Sequence, residues 1–495
     1  MNDSRWRSKL MRICSRWPAV CSVWAGLLCI IEPAHAFDPL FAEHAIPATP
    51  AASMGGDAVL GSCAFNAMGT PLRLQEAVER ALCKNPKTRE AWADVKAAAA
   101  AVGKGRSAYL PQVTGNWQGT RDETKEGISG FPQFDSTYRN SVLRNESISL
   151  SWVLYDFGGR KAALANANAL LAAARATENA TLQAVFATVA RDYYAAQAAQ
   201  GAFITAKEVE ATSAASLKAA TMRVDHGAAP ISDQLQAQTS WANAVVERTK
   251  AERDWQTALG TLAADMSVEP YASLALPDVA DGVAPDAQFD ESVADLINDA
   301  KRFHPSVAAA EAELEAAQAK VRQTRAEGLP KVSFVAKYSW NNQPTSLQLG
   351  VPQTPAATRE WYLGIQVTIP FFEGFGRAYD IHQAQAEAEK QGDMLEEARQ
   401  QVGLDVWTSY QALQAAGKNV ANSATLLDVA QKSYAAAQRR YEIGVGGILE
   451  LLNAQSSLAG AKRQRIGALT DWRSERLQLA AKLGKLGMWN LLPDH

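Results

Sequence analysis

Four segments of the chain alternate apolar and polar residues with a period of two, which is the pattern of a β-strand with two unlike faces. These segments begin at Val113, Ile148, Val332 and Trp361. Each is close to the roughly 9–11 residues that a tilted membrane strand needs. Because the face opposite the apolar one is rich in Ser, Thr, Asn and Gln, the pattern favours strands between lipid and water. A half-buried sheet of a soluble protein is the alternative.

Four strands are too few to close a barrel around a pore, and an open sheet edge cannot face lipid. Strands that span a membrane must therefore be shared between subunits. Residues 121–140 and 341–359 are polar and rich in Gly, Pro or charge, and they are predicted to be exterior loops.

Two regions carry an unusually long helical pattern. Residues 160–224 contain no Pro and almost no Gly, and at ~1.5 Å per residue they predict a helix of about 100 Å. Residues 377–441 match them and carry an apolar stripe spaced by three, four and seven: Leu395, Ala398, Val402, Val406 and Leu413. Abundant Ala lets such helices pack closely, as in coiled coils. Each helix is predicted to end at a glycine suited to a left-handed cap, before an antiparallel return helix.

The chain is an internal duplication. Pro86 corresponds to Pro305, which lies 219 residues later, and the Leu-Pro pair before the first strand of each half repeats with the same separation. An Arg-x-x-x-Gly motif at the end of each long helix repeats after 217 residues. Since the separations agree within two residues, both halves are predicted to contain a short helix, an Ala-rich helix, two strands and two long helices.

The amino end has the three parts of a secretory signal. Five basic residues precede an apolar core at residues 19–31, and Ala34-His35-Ala36 follows as a cleavage site. After cleavage only Cys63 and Cys83 remain. An oxidising compartment would allow them to form a disulfide, and two buried thiols are the alternative.

Composition excludes several classes of protein. The chain is 47% hydrophobic with a net charge of −3, which is too apolar for a disordered chain and too balanced for a nucleic-acid binder. No phosphate-binding loop, zinc-spaced His or Cys set, or nucleophile motif is found. We therefore predict no enzyme activity, no cofactor, no metal and no nucleic-acid partner.

These landmarks divide the chain into six predicted segments. They are a signal peptide at 1–36, an amino-terminal extension at 37–70, a first repeat at 71–265, an inter-repeat connection at 266–290, a second repeat at 291–486 and a tail at 487–495.

The signal peptide, the duplicated halves and the motifs at residues 154–160 (LYDFGGR) and 440–444 (RYEIG) together resemble the TolC family of outer-membrane efflux and secretion channels. The resemblance covers about residues 71–486. It implies a mixed α and β membrane protein, in which a trimeric twelve-stranded outer-membrane β-barrel continues as a long periplasmic α-helical barrel. The segment at residues 78–83 and the unlipidated start look most like the type I secretion members that export a toxin.

The resemblance also implies partners and a location. A homotrimer in the cell outer membrane, in contact with its lipid and extending into the periplasm, would stay closed until a periplasmic adaptor and an inner-membrane transporter dock. The leading hypothesis is the exit duct of type I protein secretion, with an ABC transporter and a protein cargo. The alternative is efflux of drugs or metals with an inner-membrane pump. A non-pore periplasmic coiled-coil scaffold is a hypothesis from another class.

Glu450 and Asn453 match the family's pair of pore-lining acids, so the resemblance implies that they form the pore constriction. One charged ring is missing because the second acid is Asn. Trimeric symmetry would turn Glu450 into a three-fold ring of charge that favours cations. The alternative for Glu450 is an acid in the first turn of a helix, where it complements the helix dipole.

Asp233 and Tyr441 match positions at which the family locks neighbouring coils together, although Gly446 stands where the family has an arginine. A Tyr441–Asp233 hydrogen bond is compatible with this difference, and a start residue of a helix is the alternative for Asp233.

The two Arg-x-x-x-Gly motifs are the candidate contact surface for the adaptor. They comprise Arg223 with Gly227 and Arg440 with Gly444. Plain helix termination is the alternative for these motifs.

Overall fold

The computed structural model describes most of the chain and leaves the two ends outside. The described residues are 38–44, 46–50, 63–65, 70–126, 137–279, 292–342 and 357–486. The predicted signal peptide and carboxy-terminal tail lie outside them, as do most of the extension and much of the inter-repeat connection.

The chain divides into two compact units, Met1–Ala45 and Ile46–His495. In the first, the Asp38 carboxylate accepts hydrogen bonds from the backbone N–H groups of Ala42 and Glu43, at 2.9 and 2.7 Å. These bonds hold the pKa of Asp38 below its usual value. All helices and strands below belong to the second unit.

The first half of the second unit contains four helices and two strands within its described residues. In chain order these are α1 (Leu74–Lys84), α2 (Pro86–Ser107), β1 (Gln112–Glu126), β2 (Thr137–Tyr155), α3 (Gly159–Asp225) and α4 (Ile231–Asp265). The described part of the second half repeats this order as α5 (Val293–Phe303), α6 (Pro305–Glu327), β3 (Lys331–Asn341), β4 (Thr358–Thr368), α7 (Gly376–Glu442) and α8 (Ile448–Lys482).

The long helices of the two halves have equal lengths. Both α3 and α7 have 67 residues, and both α4 and α8 have 35. At ~1.5 Å per residue the longer pair extends about 100 Å each. The predicted apolar stripe of α7 is confirmed at four of its five positions, where Leu395, Val402, Val406 and Leu413 are buried.

The pairs Asn85-Pro86 and His304-Pro305 mark the starts of helices. The Asn85 side chain accepts a hydrogen bond from Lys87 N at 3.0 Å, and His304 Nδ1 accepts one from Ser306 N at 3.1 Å. Each therefore caps a helix whose first residue is Pro, the position at which the missing N–H costs nothing. Burial lowers the pKa of His304, which favours the neutral ring needed to accept this bond.

The strands form one antiparallel sheet in the order β1-β2-β3-β4. Its register places Val113 opposite Leu150, Leu150 opposite Ala336, and Ala336 opposite Leu363. Since residues directly opposite share a face, this register aligns the apolar positions of all four strands. That face is open in the single chain, and Leu363 is 64% exposed.

The first hairpin is longer than the sequence pattern predicts. Residues 121–126 and 137–140 are strand rather than exterior loop, and the ladder continues to the pair Glu126–Thr137. Each added antiparallel pair satisfies further backbone donors and acceptors, so pairing extends into polar sequence. Residues 127–136 and 343–356 of the two predicted loops lie outside the described residues.

Two apolar cores lie where the short helices pack against the long ones. The first joins α1, α3 and α4 around Phe186 and Leu262, and the second joins α5, α7 and α8 around Leu296 and Val406. Cys63 and Cys83 form a disulfide beside the first core. Among the described residues, no helix combines the length and the apolar character needed to cross a membrane.

Candidate functional site

The candidate site is the pair of turns that connect the long helices to their return helices. We call residues 223–235, from the last turn of α3 to the start of α4, the first tip, and residues 440–450, from the last turn of α7 to the first turn of α8, the second tip. Gly227 and Gly444 have φ values of 66° and 82°, in the region that favours glycine. Both therefore end their helices as the sequence predicts.

Each Arg-x-x-x-Gly motif is one helix-ending unit. Ala228 N donates to Arg223 O at 2.7 Å, and the equivalent bond joins Val445 N to Arg440 O at 3.0 Å. A second bond runs from each glycine N to the carbonyl one residue after the arginine. This pair of bonds defines the Schellman motif, whose third residue from the end is the arginine. Helix termination thus accounts for the backbone of both motifs and leaves the arginine side chains to other contacts.

Arg223 connects the two tips. Its Nη1 donates to Tyr441 O at 2.9 Å, and its guanidinium carbon lies 4.8 Å from the centre of the Tyr441 ring. The cation therefore caps the last carbonyls of α7, where the helix dipole is negative, and also stacks on an aromatic face. Sequence reasoning missed this contact because the two residues are 218 positions apart.

Tyr441 is buried in a small apolar cluster that it shares with Ala220, Ala237, Ile448 and Leu451. Its hydroxyl has no hydrogen-bond partner within the described part of the chain. The predicted hydrogen bond to Asp233 is therefore not formed.

Asp233 instead lies in the first turn of α4, and its carboxylate is 3.5 Å from the Ser232 hydroxyl. That position suits an acid near the positive end of a helix.

Gly446 packs closely against the end of α7. A Cβ atom there would lie 3.0 Å from Arg440 Cβ and 3.1 Å from both Arg440 C and Tyr441 N. Since two of these atoms are backbone, a side chain at this position would require them to move by a few tenths of an ångström. Glycine fits the present turn without that movement, whereas the arginine that the family resemblance leads one to expect would need it.

Glu450 forms an ion pair with Arg440, whose Nε lies 3.2 Å from Glu450 Oε1. Glu450 is in the first turn of α8, and Asn453 follows one turn later on the same side of the helix and is exposed. Both ion-pair side chains are about half exposed, so the pair contributes at most about 1 kcal/mol. The negative charge of Glu450, the predicted constriction acid, is therefore partly balanced by Arg440 of the same tip.

The tips also expose large apolar side chains. Ile443, Val445 and Leu449 are 74%, 64% and 55% exposed, and Ile231 and Leu235 of the neighbouring hairpin are similarly open. The sequence already indicated this apolar surface, because apolar residues inside a turn are unusual. No group of three or more His, Cys, Asp or Glu in the described residues could hold a metal ion.

Comparison with known proteins agrees with this architecture. The family model described as "Outer membrane efflux protein" matches residues 77–266 and 296–485, which is most of the chain in two copies. The chain is 34% identical to protein CyaE of Bordetella pertussis, over 84% of this chain and 85% of that protein.

More distant relatives follow the same pattern. The chain is 24% identical to the probable efflux pump outer membrane protein TtgC of Pseudomonas putida, over 84% of this chain and 83% of that protein. The solved structure of the outer-membrane channel OprN superposes with a TM-score of 0.70 at 21% identity, covering 83% of this chain and 90% of that one. The chain belongs to the outer membrane efflux protein family of TolC-like channels, and it is therefore an outer-membrane transport protein rather than an enzyme.

Proposed function

We propose that the chain is the exit duct of a type I protein-secretion system, opened when a periplasmic adaptor and an inner-membrane ABC transporter dock. The observation that carries this proposal is the 34% identity with CyaE, against 24% with the efflux protein TtgC over the same share of the chain. It agrees with the resemblance of residues 78–83 to toxin-exporting members of the family. The fold alone does not separate protein export from efflux.

We further propose that the duct is a homotrimer. The sheet has two edge strands, β1 and β4, and an exposed apolar face. Unpaired strand edges are costly in lipid. Three copies, the number that the family resemblance implies, would pair each β1 with a neighbouring β4 and close a twelve-stranded sheet.

The adaptor contact is proposed to lie at the tips. The exposed apolar side chains of both tips would be buried by such a partner. Arg223, Gly227, Arg440 and Gly444 shape this surface through their helix-ending bonds. The arginine side chains already contact Tyr441 and Glu450, so we propose the exposed apolar residues as the main contact points.

A deletion strain tests the proposal when its secreted proteins and its drug and metal tolerance are scored together. We expect loss of one large secreted protein with unchanged tolerance. Rising drug or metal sensitivity with an intact set of secreted proteins would instead support the efflux alternative, which the relationship to TtgC favours. A purified protein that needs no detergent and forms no trimer would support the non-pore scaffold.

Glu450→Gln is expected to weaken cation selectivity if Glu450 and Asn453 line the pore constriction. A full charge ~4 Å from a passing ion contributes about 1 kcal/mol in water, in favour of a cation and against an anion. Their permeability ratio therefore depends on about 2 kcal/mol and should fall roughly 30-fold. Reversal potentials across planar bilayers measure this ratio. Glu442→Gln is the matched control, because Glu442 is an exposed acid of the same tip. Equal effects of the two substitutions would remove the constriction role of Glu450.

A further inference from the structure

We propose that Arg223 is the latch that holds the two tips together in the closed channel. It would replace the arginine that the family has at the position of Gly446. The inference rests on the proposed function, since a latch requires a duct that opens at this end. It assigns the closing contact to a guanidinium on the first tip rather than to the Tyr441 hydroxyl on the second.

The position of Arg223 suits this role. It lies in the last turn of α3 and binds the last turn of α7. Its contact therefore joins the helical hairpin α3–α4 to the helical hairpin α7–α8 at their far end. Tyr441 O accepts both Gly444 N, at 3.1 Å, and Arg223 Nη1, at 2.9 Å. A charged donor therefore satisfies a carbonyl that the helix itself cannot fully use.

Apart from the apolar cluster around Tyr441, the other hydrogen bonds and ion pairs between α3–α4 and α7–α8 in the described residues lie farther from the tips. Gln455 of α8 donates to Ser213 of α3, and Lys462 pairs with Glu208 at 2.6 Å. Ser213 and Glu208 lie ten and fifteen residues before Arg223, which is about 15 and 22 Å along the helix. Two long helices that part at their ends lose the outermost contact first. The Arg223–Tyr441 bond is therefore broken by a small opening that leaves the contacts nearer the middle intact.

The polar groups that the family resemblance leads one to expect as a lock form no such contact among the described residues. The Tyr441 hydroxyl is buried without a hydrogen-bond partner among the described residues, and Gly446 has no side chain to offer. The Tyr441 ring is nevertheless only 6% exposed, because it is covered by Arg223 and by the apolar cluster. Arg223 therefore contacts the backbone oxygen and the ring face of Tyr441 and not its hydroxyl.

Conductance of the full-length channel in planar bilayers tests the latch with three variants. Arg223→Gln should increase the ratio of open to closed channels at least tenfold, which corresponds to about 1.4 kcal/mol. Arg439→Gln is the matched control, because Arg439 is an exposed arginine of the same charge beside the second tip, and it should leave the ratio unchanged. Tyr441→Phe should also leave it unchanged, since the hydroxyl it removes makes no bond.

Three results would overturn the latch. They are an Arg223→Gln channel as closed as wild type, equal opening by Arg439→Gln, or opening by Tyr441→Phe, which would return the lock to the hydroxyl. If Arg223→Gln does not assemble, Arg223→Lys is the second variant, because it keeps the charge and a donor but loses the planar group that stacks on Tyr441. Its ratio of open to closed channels should lie between that of wild type and that of a fully open channel. A ratio equal to that of wild type would also overturn the latch. Absence of conductance from the wild type and from every variant alike would instead overturn the proposed function and the latch with it.

Discussion

Phe186→Ala is expected to lower the free energy of unfolding by about 3–5 kcal/mol. Phe186 is fully buried in α3 at the centre of the first core, where α1 and α4 pack against it. Truncation removes the apolar contacts of the ring and leaves a cavity that the three helices cannot refill without moving. We expect this to be the largest effect of any substitution considered for this chain.

Thermal unfolding followed by circular dichroism in detergent measures the effect as a lower midpoint. Phe303→Ala is the matched control, because Phe303 ends α5 and is 71% exposed. The control should change stability by no more than about 0.5 kcal/mol. Equal midpoints for the two variants would mean that the first core does not limit the stability of the folded chain.

The same position shows how far the internal duplication can be used for prediction. The long helices begin 217 residues apart, so Phe186 of α3 corresponds to Gly403 of α7. Gly403 is also buried, but an added Cβ there would lie 2.9 Å from Lys301 Cε. A repeat in the sequence thus predicts equivalent backbones, whereas the side chains that fill equivalent spaces have diverged.

Local signals explain why the helices and tips could be predicted. Pro at a helix start, Gly at its end and an uninterrupted Ala-rich run all act on neighbouring residues. The tips at Gly227 and Gly444 and the 67-residue helices follow from them. The alternation of the strands likewise predicts which residues share a face, because the side-chain period of a strand is two.

Contacts between the two halves could not be predicted in the same way. Arg223 is separated from Tyr441 by more than two hundred residues, and nothing around either residue indicates its partner. The pair of Arg440 with Glu450 depends on the conformation of the second tip, which brings the last turn of α7 beside the first turn of α8. Family resemblance therefore suggested a Tyr441–Asp233 lock, while the structure has a different contact at the same place.

Reduction of the Cys63–Cys83 disulfide is expected to lower the free energy of unfolding by about 2–4 kcal/mol. The bond joins residues 20 positions apart and ties the segment before α1 to that helix. Phe65 reinforces the attachment, since its ring lies 5.1 Å from the Arg80 guanidinium carbon and 5.5 Å from Lys84 Nζ. Such cation–π contacts contribute roughly 0.5–2 kcal/mol each, with the higher value for the buried Arg80, so they act beside the covalent bond.

The loss can be separated from general effects of a reductant with a double variant, Cys63→Ala with Cys83→Ala. Dithiothreitol should lower the thermal midpoint of the wild type to near that of the double variant and should leave the double variant unchanged. Because both cysteines contact the first core, a small difference between the reduced wild type and the double variant reports packing alone. An equal fall in both proteins would mean that the reductant acts elsewhere. If dithiothreitol leaves the thermal midpoint of the wild type unchanged as well, loop closure contributes nothing to stability. Phe65 and its neighbours would then hold the segment without the disulfide.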